Sequence, residues 1–234
     1  MQSWENKQQQ KIGFVLQVGD FEPHRNEKDL QTMDAPNKYK KLGEFSQFYE
    51  GKVVFPYPLY FIGGNHEPYG FLDLYPLGKE IAPNFHYLGR VSCLDLHRLR
   101  IVGVSGIYRE QSFAVRPPIA EIDRESNKEY IGFTEAEIQQ ALSYKDVDIL
   151  IMHQWADIIC EDESIGNEYA SLLIKTLQPK LVLFGHMHQK YQTTLKMRRQ
   201  IEICCLANVQ QGKDAIAVFK VDKEQIIPNY FFEK

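Results

Sequence analysis

Four short apolar runs in this chain end alike. FVLQV (14–18) leads into Gly19–Asp20, and PLYFIGG (58–64) into Asn65–His66. DILIM (148–152) leads into His153, and LVLF (181–184) into Gly185–His186–Met187–His188. Continuous apolar runs of this length read as strands buried on both faces. Each would deliver a metal-competent side chain at its C-terminal end, the edge where sheets of α/β proteins bind ligands. Glycines before Asp20, Asn65 and His186 let the backbone turn sharply and approach a bound group.

The rest of the chain fits around these strands. Apolar spacing predicts a helical region from about Glu27 to Phe48. NFHYLG, VSCLDL and RLRIVGVSG read as consecutive strands with short polar breaks, and residues 108–129, with Pro117–Pro118, as a long surface loop. Thr134 with Glu137 three residues on is a capping-box signature, and Asn167–Leu177 reads as a helix stopped by Pro179. IEICCLA and AIAVFKV complete the strands, and YQTTLKMRRQIEICCL reads as a hairpin with a basic tip, Lys196–Arg199. Strands alternate with helices early and follow one another late. The expected fold is therefore α/β, one layered domain over residues 1–234 with a mixed sheet or two sheets.

Composition narrows the function classes. The net charge of −4 excludes a general electrostatic pull toward nucleic acid or anionic membrane. No apolar run approaches the ~20 residues of a membrane span. MQSWENKQQQ lacks the apolar centre of a signal peptide. Cys93, Cys160, Cys204 and Cys205 form no CxxC pair. They read as core thiols of a reducing compartment, with the cytoplasm as the expected location. Nothing in the sequence calls for an obligate protein partner.

A Gly-Asp or a lone histidine after one strand is commonly a turn. Four such ends in series, each after its own strand, are more than turn chemistry requires. A carboxylate, an amide oxygen and imidazoles together suit a borderline divalent ion such as Mn, Fe or Zn. His24, His86 and His97 show no partner pattern.

The order GD, GNH(D/E), lone His, GHxH resembles the calcineurin-like metallophosphoesterase family. That resemblance implies a layered β-sandwich flanked by helices. It also implies two metals about 3.5–4 Å apart that share an attacking hydroxide. Asp20 would bridge the metals, Asn65, His153 and His186 would hold the second, and His188 would belong to the first. His66 would act at the leaving oxygen and Asp20 at the nucleophile. Glu67 would orient His66 or a ligand from outside the metal shell.

Within the family, GDFEPHRNEKDLQTMDAPNKYKKL, IGGNHEP, APNFHYLG and IVGVSGIYRE resemble the catalytic domain of the RNA lariat debranching enzymes. Those enzymes cut 2′–5′ phosphodiester bonds, and the resemblance puts Arg25 and Tyr69 against phosphate or ribose. They carry a longer insertion after the lone-histidine motif, where HQWADIICEDESIGNEYASLL is short and acidic, and a further C-terminal region. The expectation is accordingly a phosphodiesterase or phosphatase of this branch, with a nucleotide or RNA as the phosphate ester.

The resemblance also implies a first strand ending in Asp-x-His or Cys-x-His. Only MQSWENKQQQKIG precedes FVLQVGD. On this reading the first strand is missing and the domain is N-terminally incomplete. Asp20 and His188 alone would remain for the first metal. One ion would bind firmly in this chain, and two in a full-length form. Either the natural start lies upstream, with MQSWENKQQQ the remnant of the following helix, or the lineage lost the first site. The first account is favoured, because losing a central strand leaves unpaired backbone. Two functions follow: a metal-dependent phosphoesterase, or a catalytically impaired or non-catalytic scaffold on the same fold. The retained His66 favours the enzyme, and the absent first motif favours the scaffold.

Overall fold

Side chains on a strand alternate between two faces, and in this molecule both faces of most strands are apolar. The computed structural model describes residues 1–119, 127–162, 165–222 and 225–228. Its first sheet is built from β1 (Val15–Gln17), β2 (Leu59–Phe61), β3 (Lys79–Ala82) and β4 (Phe85–Tyr87), in the order β1-β2-β4-β3. The second contains β5 (Val91–Leu96), β6 (Leu99–Val104), β7 (Ile149–Met152), β8 (Leu181–Phe184), β9 (Tyr191–Lys196) and β10 (Gln200–Cys205), in the order β5-β6-β7-β8-β10-β9. A hairpin of β11 (Phe219–Asp222) and β12 (Gln225–Pro228) follows.

The alternation sorts three cores. Ile62 and Leu88 face Ile101, Ile149, Ile151, Leu183 and Cys204 between the sheets. On the outer face of the first sheet, Leu59, Phe61 and Phe85 pack on Phe45 and on Tyr69, Phe71 and Leu72. On the outer face of the second, Leu150, Met152, Val182 and Phe184 pack on Ile138, Ala141, Leu173 and Ile174. The result is a β-sandwich with helices on both outer faces. Each fully buried Leu, Ile or Phe side chain contributes roughly 1.5–3 kcal/mol. Adjacent Cys204 and Cys205 fall on opposite faces, and all four cysteines are free thiols.

The helices are α1 (Gln2–Gln8), α2 (Glu27–Gln31), α3 (Phe45–Tyr49), α4 (Tyr69–Leu72), α5 (Glu110–Phe113), α6 (Glu135–Ser143) and α7 (Glu168–Leu177). The capping box at α6 is formed: Glu137 N–H donates to Thr134 Oγ1 at 3.3 Å, and Thr134 N–H to Glu137 Oε2 at 2.7 Å. Asn167 caps α7 by accepting from Ala170 N–H, and Gln178 ends it in the left-handed conformation. MQSWENKQQQ is helical over α1, whose Glu5 accepts from Ile12 N–H and from Tyr57 Oη–H.

Four readings change. The predicted helix from Glu27 to Phe48 is two short helices, α2 and α3, separated by a 3₁₀ turn at Asn37–Tyr39. The end of α2 tightens, with Thr32 N–H donating to the Asp29 carbonyl at 3.2 Å and Met33 N–H to that of Leu30 at 3.4 Å, and Pro36 then leads into the 3₁₀ turn. Strands β3 and β12 escape the pattern reading. In AIAVFKV only its C-terminal part is strand, after a 3₁₀ segment at Val209–Ala215. Of the predicted 108–129 loop, residues 120–126 lie outside the described residues, and the remainder carries α5 and a 3₁₀ turn at Asn127–Glu129. No helix among the described residues is long and apolar enough to cross a membrane.

Candidate metal centre

Strands β1 and β2 run parallel in one sheet, as do β6, β7 and β8 in the other. The loops after β1, β2, β7 and β8 meet where Val18 and Ile62 join the inter-sheet core. They meet closely. A Cβ on Gly19 would lie 2.5 Å from His153 Nδ1 and 2.9 Å from Gly64 Cα, and Gly19 has φ +94°. A Cβ on Gly64 would lie 2.9 Å from Asp20 Cγ. Only glycine meets both demands at Gly19. Asp20 itself has φ +55° and His186 φ +67°, conformations that non-glycine residues rarely adopt.

Asp20, His153 and His186 each bring one ligand atom into a cluster whose atoms lie within 4.8 Å of one another. His153 is buried at its centre. Its Nδ1 lies 2.7 Å from the Val18 carbonyl, which fixes that nitrogen as the donor. Its Nε2 then faces Asn65 Oδ1 at 3.1 Å and Asp20 Oδ2 at 3.2 Å. In a neutral ring these are three lone-pair atoms converging on one point, an arrangement that calls for a proton or a cation. Burial works to lower the His153 pKa, but the Asp20 carboxylate outweighs it and holds the value above the ordinary one. Burial likewise raises the Asp20 pKa, but His153 and His66 overcome it and hold the carboxyl far below its usual range. Burial, helped by His153, lowers His186 to about 4, leaving a neutral imidazole with a free lone pair. A carboxylate, an amide oxygen and two imidazoles fit a borderline divalent cation.

The remaining predicted residues fall into two groups. His66 belongs to the site: its backbone N–H donates to Asp20 Oδ1 at 2.9 Å, and its Nδ1 lies 2.7 Å from the Asp34 carbonyl. Glu67 is wholly buried and accepts from Gly64, Phe21 and Glu22 backbone N–H groups at 3.1, 2.9 and 2.9 Å. It ties the β2 loop to the backbone that follows Asp20 in the β1 loop. Burial and the nearby Asp20 raise its pKa to about 7. His188 is exposed and lies outside the cluster.

Arg25 and Tyr69 both make contacts within the protein. Arg25 forms a two-pronged pair with Asp29, at 2.9 and 2.8 Å, and lies 3.6 Å above the Phe71 ring. Tyr69 is fully buried, donates its hydroxyl to the Gly64 carbonyl at 2.7 Å and stacks under Arg90 at 3.8 Å. These contacts tie both residues to neighbouring loops. The basic tip at Lys196–Arg199 sits between β9 and β10. Because β10 runs parallel to β8, this tip is at the opposite end of the sheet from His186. Trp155 is buried beside the β7 loop and stacks on Tyr191 at 5.7 Å.

Sequence reasoning missed the groups that hold this geometry. The Asp34 carbonyl gives no sequence signal, because every residue has one. Gln17 folds its amide onto Gly19, donating to its carbonyl and accepting its N–H at 2.7 and 2.8 Å. Ser105 accepts Gly63 N–H at 2.8 Å and donates to the Gly89 carbonyl at 2.6 Å.

Residues 4–190 match the family described as Calcineurin-like phosphoesterase. The chain belongs to the calcineurin-like phosphoesterase family. Enzymes of this family use divalent metals, in agreement with the donor set at Asp20, Asn65, His153 and His186. The chain is 33% identical over 212 residues to a lariat debranching enzyme of Entamoeba histolytica, covering 82% of this chain and 59% of that protein. It is 27% identical over 252 residues to a lariat debranching enzyme of Arabidopsis thaliana, covering 96% and 59%. For one of Drosophila pseudoobscura pseudoobscura the values are 32% over 210 residues, 80% and 39%. The chain thus spans less than two thirds of the length of these relatives. A solved crystal structure superposes with a TM-score of 0.50 at 17% identity, covering 81% of this chain and 68% of that one, and supports the fold alone.

Proposed function

We infer that this chain is a metal-dependent phosphodiesterase acting on a phosphate ester such as a nucleotide or RNA. The observation that carries this reading is the convergence of Asp20 Oδ2 and Asn65 Oδ1 on His153 Nε2, at 3.2 and 3.1 Å. Asp20, Asn65, His153 and His186 would hold one Mn, Fe or Zn ion firmly, and His188 would assist a second, weaker one. When bound, a divalent cation there lowers the pKa of water and neutralises charge on the phosphate oxygens.

The protein's own groups do the remaining work. Asp20 keeps its carboxylate ionised beside the reacting phosphate. Through Nδ1 the His66 ring is committed to the Asp34 carbonyl, which leaves Nε2 to pass a proton to the leaving oxygen. Glu67 keeps the two loops in register. The lariat debranching relatives extend the reading to RNA phosphodiesters, with branch-point cleavage as its narrowest form.

Hydrolysis of bis-p-nitrophenyl phosphate with Mn²⁺ tests this reading, for the wild type and for His66→Ala. Metal-dependent turnover that collapses in the variant supports it. No turnover in either protein favours the second reading, a scaffold on the same fold, which the exposed position of His188 outside the cluster favours.

A further inference from the structure

The loop after β6 shares the site edge but supplies none of the ligand candidates. Because β6 runs parallel to β7, with Val104 opposite Met152, its C-terminal end lies beside the one that delivers His153. The two loops are joined directly: Tyr108 N–H donates to Gln154 Oε1 at 2.8 Å, one residue beyond His153. The next residue in this loop is Arg109.

Arg109 differs from the other described arginines. Arg25, Arg90, Arg100 and Arg116 each hold a carboxylate, on Asp29, Asp73, Asp95 and Glu137 respectively. Arg98, Arg198 and Arg199 are exposed in hairpin turns at the far end of the second sheet. Arg109 alone is half-buried at the site edge, and among the described residues its guanidinium has no carboxylate and its buried Nε no acceptor. Packing holds it instead. Its stem lies over Gly132, where a Cβ would come within 3.2 Å of Arg109 Cβ, and Tyr108 before it is wedged against Phe113 and Tyr169.

A planar guanidinium positioned without an anion among the described residues is matched to an external one, and its fork suits phosphate oxygens. We propose that Arg109 forms an anion subsite for a backbone phosphate of a nucleic-acid strand, next to the ester undergoing hydrolysis. This rests on the phosphodiesterase reading and extends it to a polymeric substrate, since a mononucleotide ester has no flanking phosphate to offer. Arg109 would supply a local positive charge on a chain of net charge −4.

The test compares kcat/KM for a single-stranded oligoribonucleotide with that for bis-p-nitrophenyl phosphate, both with Mn²⁺, in the wild type, Arg109→Gln and Arg109→Lys. The ratio of oligonucleotide to small ester should fall about tenfold or more in Arg109→Gln, as expected for loss of a charge-assisted hydrogen bond. It should be partly restored in Arg109→Lys, with Tm unchanged in both. An unchanged ratio overturns the proposal. If the wild type turns over neither substrate, the phosphodiesterase reading fails, and fluorescence anisotropy with the same oligonucleotide decides the subsite separately. Binding weakened in Arg109→Gln, with a salt-dependence slope smaller by about 0.7, supports it. Equal affinity and equal slope, or no binding by the wild type, overturn it.

Discussion

The Glu67 carboxylate accepts the Phe21 amide proton across 2.9 Å, joining the loop after β2 to the loop after β1. The same carboxylate takes Gly64 and Glu22 N–H groups, so three backbone donors depend on one buried side chain. An amide of identical shape cannot serve all three, because one of its two ends donates.

Glu67→Gln should therefore leave at least one backbone N–H without an acceptor, at about 1–3 kcal/mol. For a protein of this size that lowers Tm by roughly 2–4 °C per kcal/mol. Loosening Asp20 should also weaken Mn²⁺ binding about 10–100-fold. Calorimetric titration and a thermal melt check both. Unchanged metal affinity in a folded variant would remove Glu67 from the support of the site.

His66 is predicted to behave differently. Its ring is outside the Asp20–His153–His186 cluster and is held by the Asp34 carbonyl. His66→Ala should cut kcat by about 10²–10⁴ while metal affinity stays near that of the wild type. A loss of metal affinity as large as that in His153→Ala would show that His66 ligates.

What the sequence disclosed, and what it hid, follows from the range of each interaction. His153 and His186 were legible because long apolar runs announce strands and the residues ending them fall at one edge. Arg25 and Tyr69 have contacts that the sequence did not disclose, because they depend on neighbours in space. Asp29, four residues from Arg25, neutralises it, and Phe71 lies beneath it. Arg90, from another loop, covers Tyr69. Strand β3 was missed because only the second half of KEIA is buried. The partner of His66 is a backbone carbonyl, which no side-chain pattern can reveal.

A buried histidine away from the cluster makes stability depend on pH. His24 is 1% exposed, and its Nε2 has no partner among the described residues. Burial, only partly offset by Asp29, lowers its pKa from 6.5 to about 4. The neutral ring is therefore favoured in the folded state. Its contribution is fully present above pH 6.5 and is lost as pH falls toward 4 and below. Urea unfolding of the wild type and His24→Phe at pH 7, 5.5 and 4.5 should show the wild type losing more stability over that interval. Parallel pH profiles would contradict the assignment.

The number of bound ions follows from which donors converge. Three ligand atoms, from Asp20, His153 and His186, fall within 4.8 Å of one another, and Asn65 Oδ1 adjoins His153. His188 stands outside, so a second ion sharing Asp20 would have too few donors for tight binding. Metal analysis after desalting should find about one Mn, Fe or Zn per chain, as a cluster with one full donor set requires. Asp20→Asn and His153→Ala should lose that ion, and His188→Ala should keep it. Two stoichiometric ions in this chain would mean that further donors complete a second site, and the one-ion assignment would fall.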